Sequence, residues 1–275
     1  MTQTALTVQT HAGSRVLDYH ANLAANRDVF LLNYGQELAL FEETISILDD
    51  LMRVVGDGRD AQGHTHVGLL PFLMLMVRQA FNALEAFSNY QSYQAWASLR
   101  PFLESALMIG KWMDDPKNAH IWRDRDKNRK AYNDTYWEQN IISKSLANCE
   151  VIRSALTRIN EQFMHANYQY FSKHLQDHKD ESGIWRLMRF VDYEDEHRTH
   201  FYAFLHLTRF TTDSIATTLG KKIHGAARVD TKLTDLQQSL KDKVIDLAKS
   251  NREAKVVLRA FGLWPANLLS ASQNT

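Results

Sequence analysis

The sequence predicts an all-α protein, a single bundle of about eight helices around a central antiparallel helix hairpin. Three observations predict it. Only four prolines and eleven glycines punctuate 275 residues, too few for a strand-rich sandwich with its frequent turns. A hydrophobic content of 44% supplies a sizeable core. Apolar residues recur at helical spacing along most of the chain, most densely from Leu69 to Pro116.

Composition also bounds the function. Lys plus Arg equals Asp plus Glu at 32 each, so bulk charge gives no reason to expect a nucleic-acid binder, although a local basic face is compatible with it. Cys149 is the one cysteine, which excludes an intrachain disulfide and fits a reducing compartment. Residues 1–13 are small and polar and are expected to be a mobile N-terminus without the pattern of a signal peptide. Residues 14–262 form the expected helical domain and 263–275 a loose tail. The apolar run from Leu69 to Val77 is too short to span a bilayer and ends at Arg78. A cytoplasmic protein with no membrane partner is expected.

Taken in order, a helix capped by Ser14 or Asp18 runs towards Asn33, and Gly35 breaks it. Gln36 to Val55 places Leu38, Phe41, Ile45, Leu48 and Met52 on one face, with Glu42 and Glu43 on the wet flank. Gly56 to Gly68 is a loop carrying His64 and His66, a weak metal pair. The hairpin follows: one helix over 69–87 with Pro71 in its first turn, another over roughly 92–113. Pro101 predicts a kink there or a helix start near Leu99. Asp115 and Pro116 cap the next helix. The run WRDRDKNRK reads as a solvated face, or else as a nucleic-acid or partner surface. A helix over about 143–170 points Leu146, Ile152, Leu156, Ile159, Phe163 and Tyr170 inward. A polar loop covers 178–183, and 184–191 is a short strand or a helical turn. A long helix covers 193–219, an amphipathic one 232–249, and a short one 251–262.

Arg78, Glu85, Arg100 and Glu104 lie within the apolar hairpin. Arg100 and Glu104, four apart, share a helix face and can pair. Arg78 and Glu85 on the preceding helix can complete a four-charge network. Such a network fixes helix register, or it orients a site residue on another helix. A second constellation is Asn160-Glu-Gln-Phe-Met-His165-Ala-Asn167, with Arg158 two residues before it and Tyr168, Tyr170 and Phe171 beside it, either as core or as a platform for a base.

Arg100, Glu104, Trp112, Asp115 and Pro116, then Asn160, His165 and Asn167, give a pattern over about residues 70–170 that resembles uncharacterised bacterial all-helical proteins grouped with the HEPN-like folds (higher eukaryote and prokaryote nucleotide-binding). The resemblance implies a helical bundle and a bacterial defence or toxin-type effector acting on RNA, many such proteins being metal-independent ribonucleases. It implies His165 as general acid/base, Arg158 or Arg100 on phosphate, Glu104 orienting Arg100, and Asn160 completing the set. The Arg-to-His spacing also recurs at Arg15–His20 and Arg59–His64, and Ile159 stands where active members carry a polar residue. The expected partner is RNA; a protein partner or a homodimer is the alternative, for a non-catalytic interaction protein.

A third reading is a metal-binding helical enzyme. His174 and His178 sit four apart, and Glu194-x-x-His197 is followed by His200, spacings that recur in helical metal sites. A di-iron bundle needs a second Glu-x-x-His step, which the chain lacks, so these four histidines are a candidate mononuclear set and no cofactor is otherwise expected. Asp114-Asp115, with Asn133-Asp134 and Glu138, mimics the magnesium motifs of terpene cyclases but reads better as a helix stop and cap. Cys149 lies in an apolar stretch and reads as a buried structural thiol.

Overall fold

A computed structural model describes residues 15–59, 66–164, 175–180, 183–188, 192, 194–223, 225–226, 229, 235–250, 255 and 257. Among these the fold is an all-α bundle. Its helices are α1 (Arg15–Asn33), α2 (Gly35–Asp57), α3 (Leu70–Ser88), α4 (Ser92–Asp114), α5 (Lys117–Arg123), α6 (Arg129–Tyr136), α7 (Cys149–Phe163), α8 (Glu194–Gly220) and α9 (Asp235–Ser250). The expected mobile N-terminus, loose tail and short helix over 251–262 fall outside the described residues, apart from 255 and 257.

The α3–α4 hairpin is central, as its apolar density implies. Phe72, Leu73, Met76, Ala80, Ala83 and Phe87 of α3 are buried, as are Trp96, Leu99, Phe102, Leu103 and Leu107 of α4. α4 packs against α3, α7 and α8, and α2 packs against α3, α8 and α9. Counted through Arg78, the stretch Val67–Ser88 is long and apolar enough to cross a membrane by length and composition; here its inner side forms core. α4 runs unbroken through Pro101 from Ser92 to Asp114, the helix expected over roughly 92–113, and the alternative start near Leu99 is not taken. The Ser105 hydroxyl donates to the Pro101 carbonyl at 2.8 Å.

Asp192 fixes the hairpin turn from a distance. Its N–H donates to the Tyr90 carbonyl at 2.8 Å, and its carboxylate accepts the Ser92 N–H at 2.7 Å, filling the helix-capping role that Gln91 does not fill. Tyr90 takes a left-handed φ of +57° there.

Two expectations are corrected. The helix expected from Ser143 begins only at Cys149. Asp114, at the end of α4, accepts hydrogen bonds from the Ser143 hydroxyl and the Lys144 and Ser145 N–H groups, at 2.9, 3.1 and 2.7 Å. Ser143 Oγ also accepts the Leu146 N–H at 3.0 Å. These serine bonds compete with helix and hold the segment as a loop that ends at a left-handed Asn148 (φ +56°). The loop lies directly on Gly110, where a Cβ would sit 2.7 Å from Leu146 Cβ. The second correction concerns the polar loop expected over 178–183. β1 (Leu175–Asp180) and β2 (Gly183–Met188) form an antiparallel hairpin that pairs His178 with Trp185, so a hydrogen-bonded ladder covers most of that segment.

Candidate functional site

Arg100 and Glu104 pair as expected, at 2.8 Å, each side chain about one-third exposed. Burial raises the Glu104 carboxyl above its ordinary value, and the Arg100 guanidinium offsets only part of that. The four-charge network does not form. Glu85 instead pairs with Arg27 on α1, and Arg78 is exposed and meets no carboxylate among the described residues. The reason is the face: Arg78 and Glu85 lie on the outer side of α3, away from α4.

α7 runs antiparallel to α4. Near one end Ser143, bonded to Cys149, sits against Gly110; at the other Phe163 stacks on Trp96 at 5.9 Å. That register sets Asn160 level with Arg100. Arg100 Nε and Asn160 Oδ1 are among the several buried polar atoms that find no hydrogen-bond partner among the described residues. Arg158 is exposed on α7. His165, Tyr168, Tyr170 and Phe171 lie outside the described residues, so the expected phosphate site is represented by Arg100, Glu104, Arg158 and Asn160 alone.

The histidine set is not brought together on one helix. His174 lies outside the described residues, and the i, i+4 helix face expected for His174 and His178 is replaced by strand pairing at His178. His197 and His200 are buried on α8 with their own partners. His197 Nε2–H donates to the Phe87 carbonyl at 2.8 Å, at the end of α3, where that oxygen also accepts the Tyr90 N–H at 2.9 Å. Its Nδ1 therefore accepts from the Tyr34 hydroxyl at 3.3 Å. Burial, the largest cause, pushes the imidazole down from 6.5 to about 4; Asp192 and the Phe87 carbonyl oppose it. The ring lies 4.1 Å from that of Tyr90. His200 Nδ1 accepts from the Trp96 indole at 3.0 Å. Among the described residues no group of three or more His, Cys, Asp or Glu side chains could hold a metal ion.

The buried polar groups instead line α8, a helix with eighteen of its residues buried. From Tyr34, which also bonds Arg198, polar contacts lead to Glu194, which accepts from Arg198 at 2.8 Å. Further along, the Tyr202 hydroxyl donates to Glu37 at 3.2 Å, and Lys243 of α9 pairs with Glu37 at 2.8 Å. A shallow cleft lies over Glu37 and Lys243, with room for little more than a water molecule. Arg209 is buried between Asp213, at 3.0 Å, and Glu43, at 3.6 Å, so Glu43 is no mere wet flank. Sequence reasoning missed Glu37 and Arg209. The available signal was position: Glu37 precedes Leu40 and Phe41 by three and four residues, on the buried stripe of α2.

The outer face of α3 has a different pattern. Pro71, Met74, Arg78, Phe81 and Glu85 follow a three-four-three-four spacing, and all are outward, as is Val67 in the 3-10 turn before the helix. Val67, Met74 and Phe81 are 48, 62 and 50% exposed. The charged run over 124–130, which leads into α6, is also largely exposed, with Arg125 over the Trp122 ring at 4.7 Å.

The chain matches no protein-family model, and no curated protein or solved structure is detectably similar to it.

Proposed function

We propose that this chain is a non-catalytic helical interaction protein that docks a partner helix on the outer face of α3. The carrying observation is the alternating three- and four-residue spacing of Pro71, Met74, Arg78, Phe81 and Glu85 on that face, which is the spacing of a coiled-coil seam. α3 already buries its opposite side against α4; on the outer side Phe81 meets Phe41 of α2 edge-on and Glu85 pairs with Arg27 of α1, while Met74 and half of the Phe81 side chain stay exposed. The alternative sites support this reading by their closure: the α8 histidines and charges have partners within the chain, and Arg100 is held by Glu104. The test is a photo-crosslinking side chain placed in cells at position 81, at position 74 and, as a control, at exposed Asp126. Discrete protein adducts from 74 and 81 but not from 126 are expected; equal or no adducts at all three overturn the reading.

One observation favours a second reading, an RNA-directed defence effector of HEPN-like type. Arg100 Nε and Asn160 Oδ1 are buried without partners at one level of the α4–α7 contact, with Arg158 exposed on the same helix as Asn160. Unspent hydrogen-bonding groups near the end of a helix that leads to His165 suit a site completed by a ligand. Its test is RNA integrity in cells expressing the chain beside cells expressing His165→Ala at equal level. Degradation by the unaltered chain alone supports it, and intact RNA in both overturns it.

A further inference from the structure

We propose that the partner helix is α3 of a second copy, packed antiparallel about a two-fold axis near Phe81. This rests on the interaction reading above and names its partner. The seam carries a single cation and a single anion. Arg78 and Glu85 are seven residues apart, about 10 Å along the helix at 1.5 Å per residue. An antiparallel pair with its axis near Phe81 brings Arg78 of each copy within one turn of Glu85 of the other, so two complementary contacts flank an apolar centre. Parallel pairing would set Arg78 against Arg78 and Glu85 against Glu85, which is unfavourable in a desolvated seam.

Three further observations agree. Arg78 is exposed and meets no carboxylate among the described residues. Glu85 is engaged by Arg27 through Oε1, with its side chain 55% exposed, which leaves the other oxygen for a second cation. Between the two charges the face is apolar or uncharged, with Phe81 and Asn82 at its middle. A face of this kind suits a self-complementary, isologous contact, in which each residue's partner is supplied by the same surface. A lipid surface is a poorer occupant, because no collar of lysines or arginines borders the seam on α3: Gln79 and Asn82 stand there instead.

Sedimentation equilibrium of the purified full chain reads the proposal directly. The expected species is a dimer of 31.8 kDa chains. Phe81→Glu and Met74→Glu each loosen it by about 30-fold or more, the effect of a central interface position, with unchanged helical circular dichroism; Met74 is the more exposed of the two and guards against misfolding of the first. Arg78→Glu, which breaks no contact within the chain, loosens it about tenfold and removes the favourable charge match. Chains carrying Asn82→Cys are joined by a short bis-maleimide, and chains carrying Asp126→Cys are not; native Cys149 is buried. A monomeric wild type, or a dimer indifferent to Met74→Glu and Arg78→Glu, overturns the proposal. If the purified chain is monomeric while positions 74 and 81 still crosslink to a different protein in cells, the self-pairing fails and the interaction reading stands. If neither association is found, both fail.

Discussion

Protonation of His197 provides a stringent test of how the bundle is held together. The ring is enclosed by Phe30, Tyr34, Phe87, Tyr90 and Phe201, and both nitrogens are spent on hydrogen bonds, of which the one that Nδ1 accepts from Tyr34 requires the neutral form. Burial lowers its pKa from 6.5 to about 4. The unfolded chain takes up a proton as pH falls through about 6.5 while the folded chain does not, so stability is complete above that value and lost on the way down. The gap corresponds to about 3 kcal/mol, reached as pH approaches 4. That is a large share of the roughly 5–15 kcal/mol by which a domain is stable. The assay is urea unfolding at a series of pH values, for the unaltered chain and for His197→Gln. The amide can still donate to Phe87 but does not titrate, so the variant starts less stable and falls less steeply. The difference between the two chains should shrink by about 3 kcal/mol from pH 7 to pH 4. Equal pH slopes would refute the reasoning, as would direct observation of the folded-state imidazole titrating near its ordinary value.

Other perturbations separate the loop, the cap and the surface pair. Gly110→Ala puts a Cβ 2.7 Å from Leu146 Cβ and 2.9 Å from Ser143 Cβ; despite a better helix propensity it should cost about 1–2 kcal/mol in thermal unfolding. Burial works to raise the Asp114 carboxyl, but hydrogen bonds from Ser145, Ser143 and Lys144 outweigh it and hold the value below the ordinary range. Its stabilising effect is thus present above the unfolded carboxyl pKa and is lost as pH falls through the lower folded value. Asp114→Ala should cost about 1–2 kcal/mol near neutrality and nothing extra in strong acid, read by denaturant titration at both pH values. Arg100→Ala should change unfolding stability by less than about 1 kcal/mol, because its pair with Glu104 is partly solvated.

Much of the hairpin was legible because its signals are local. Pro71 opens α3, Asp115 and Pro116 follow α4, and the apolar stripe between them places both helices within about a residue of their observed ends. Arg100 with Glu104 was legible for the same reason, since four-residue spacing on one helix needs no tertiary information. The loop over 143–148 was not, because its residues fit a helix until Asp114, some thirty residues earlier, captures their donors. Nor was the link from Asp192 to Ser92, which spans 100 positions. The histidines of α8 show the same limit. Their spacing matches that of helical metal ligands, but spacing says nothing of the Phe87 carbonyl and Trp96 indole that already occupy them.

The placement of charge distinguishes what the fold needs from what it leaves available. Glu37, Asp192, His197 and Arg209 are buried, and each is met inside the chain by Lys243, Ser92, Phe87 and Asp213 respectively. Burying them without those partners would cost several kcal/mol apiece, so their pairing is a condition of folding and carries no separate implication for function. Arg78 is under no such condition. It sits in water, between Met74 and Phe81, which are more than three-fifths and half exposed respectively. Phe81 already rests one side on Phe41 of α2, and its free half together with Met74 leaves unburied part of the roughly 2 kcal/mol that full burial of each large apolar side chain would supply. The proposed pairing with a second α3 would supply that burial and bring Glu85 to Arg78, which ties the interaction reading to the outer face of α3 rather than to the buried polar groups of α8.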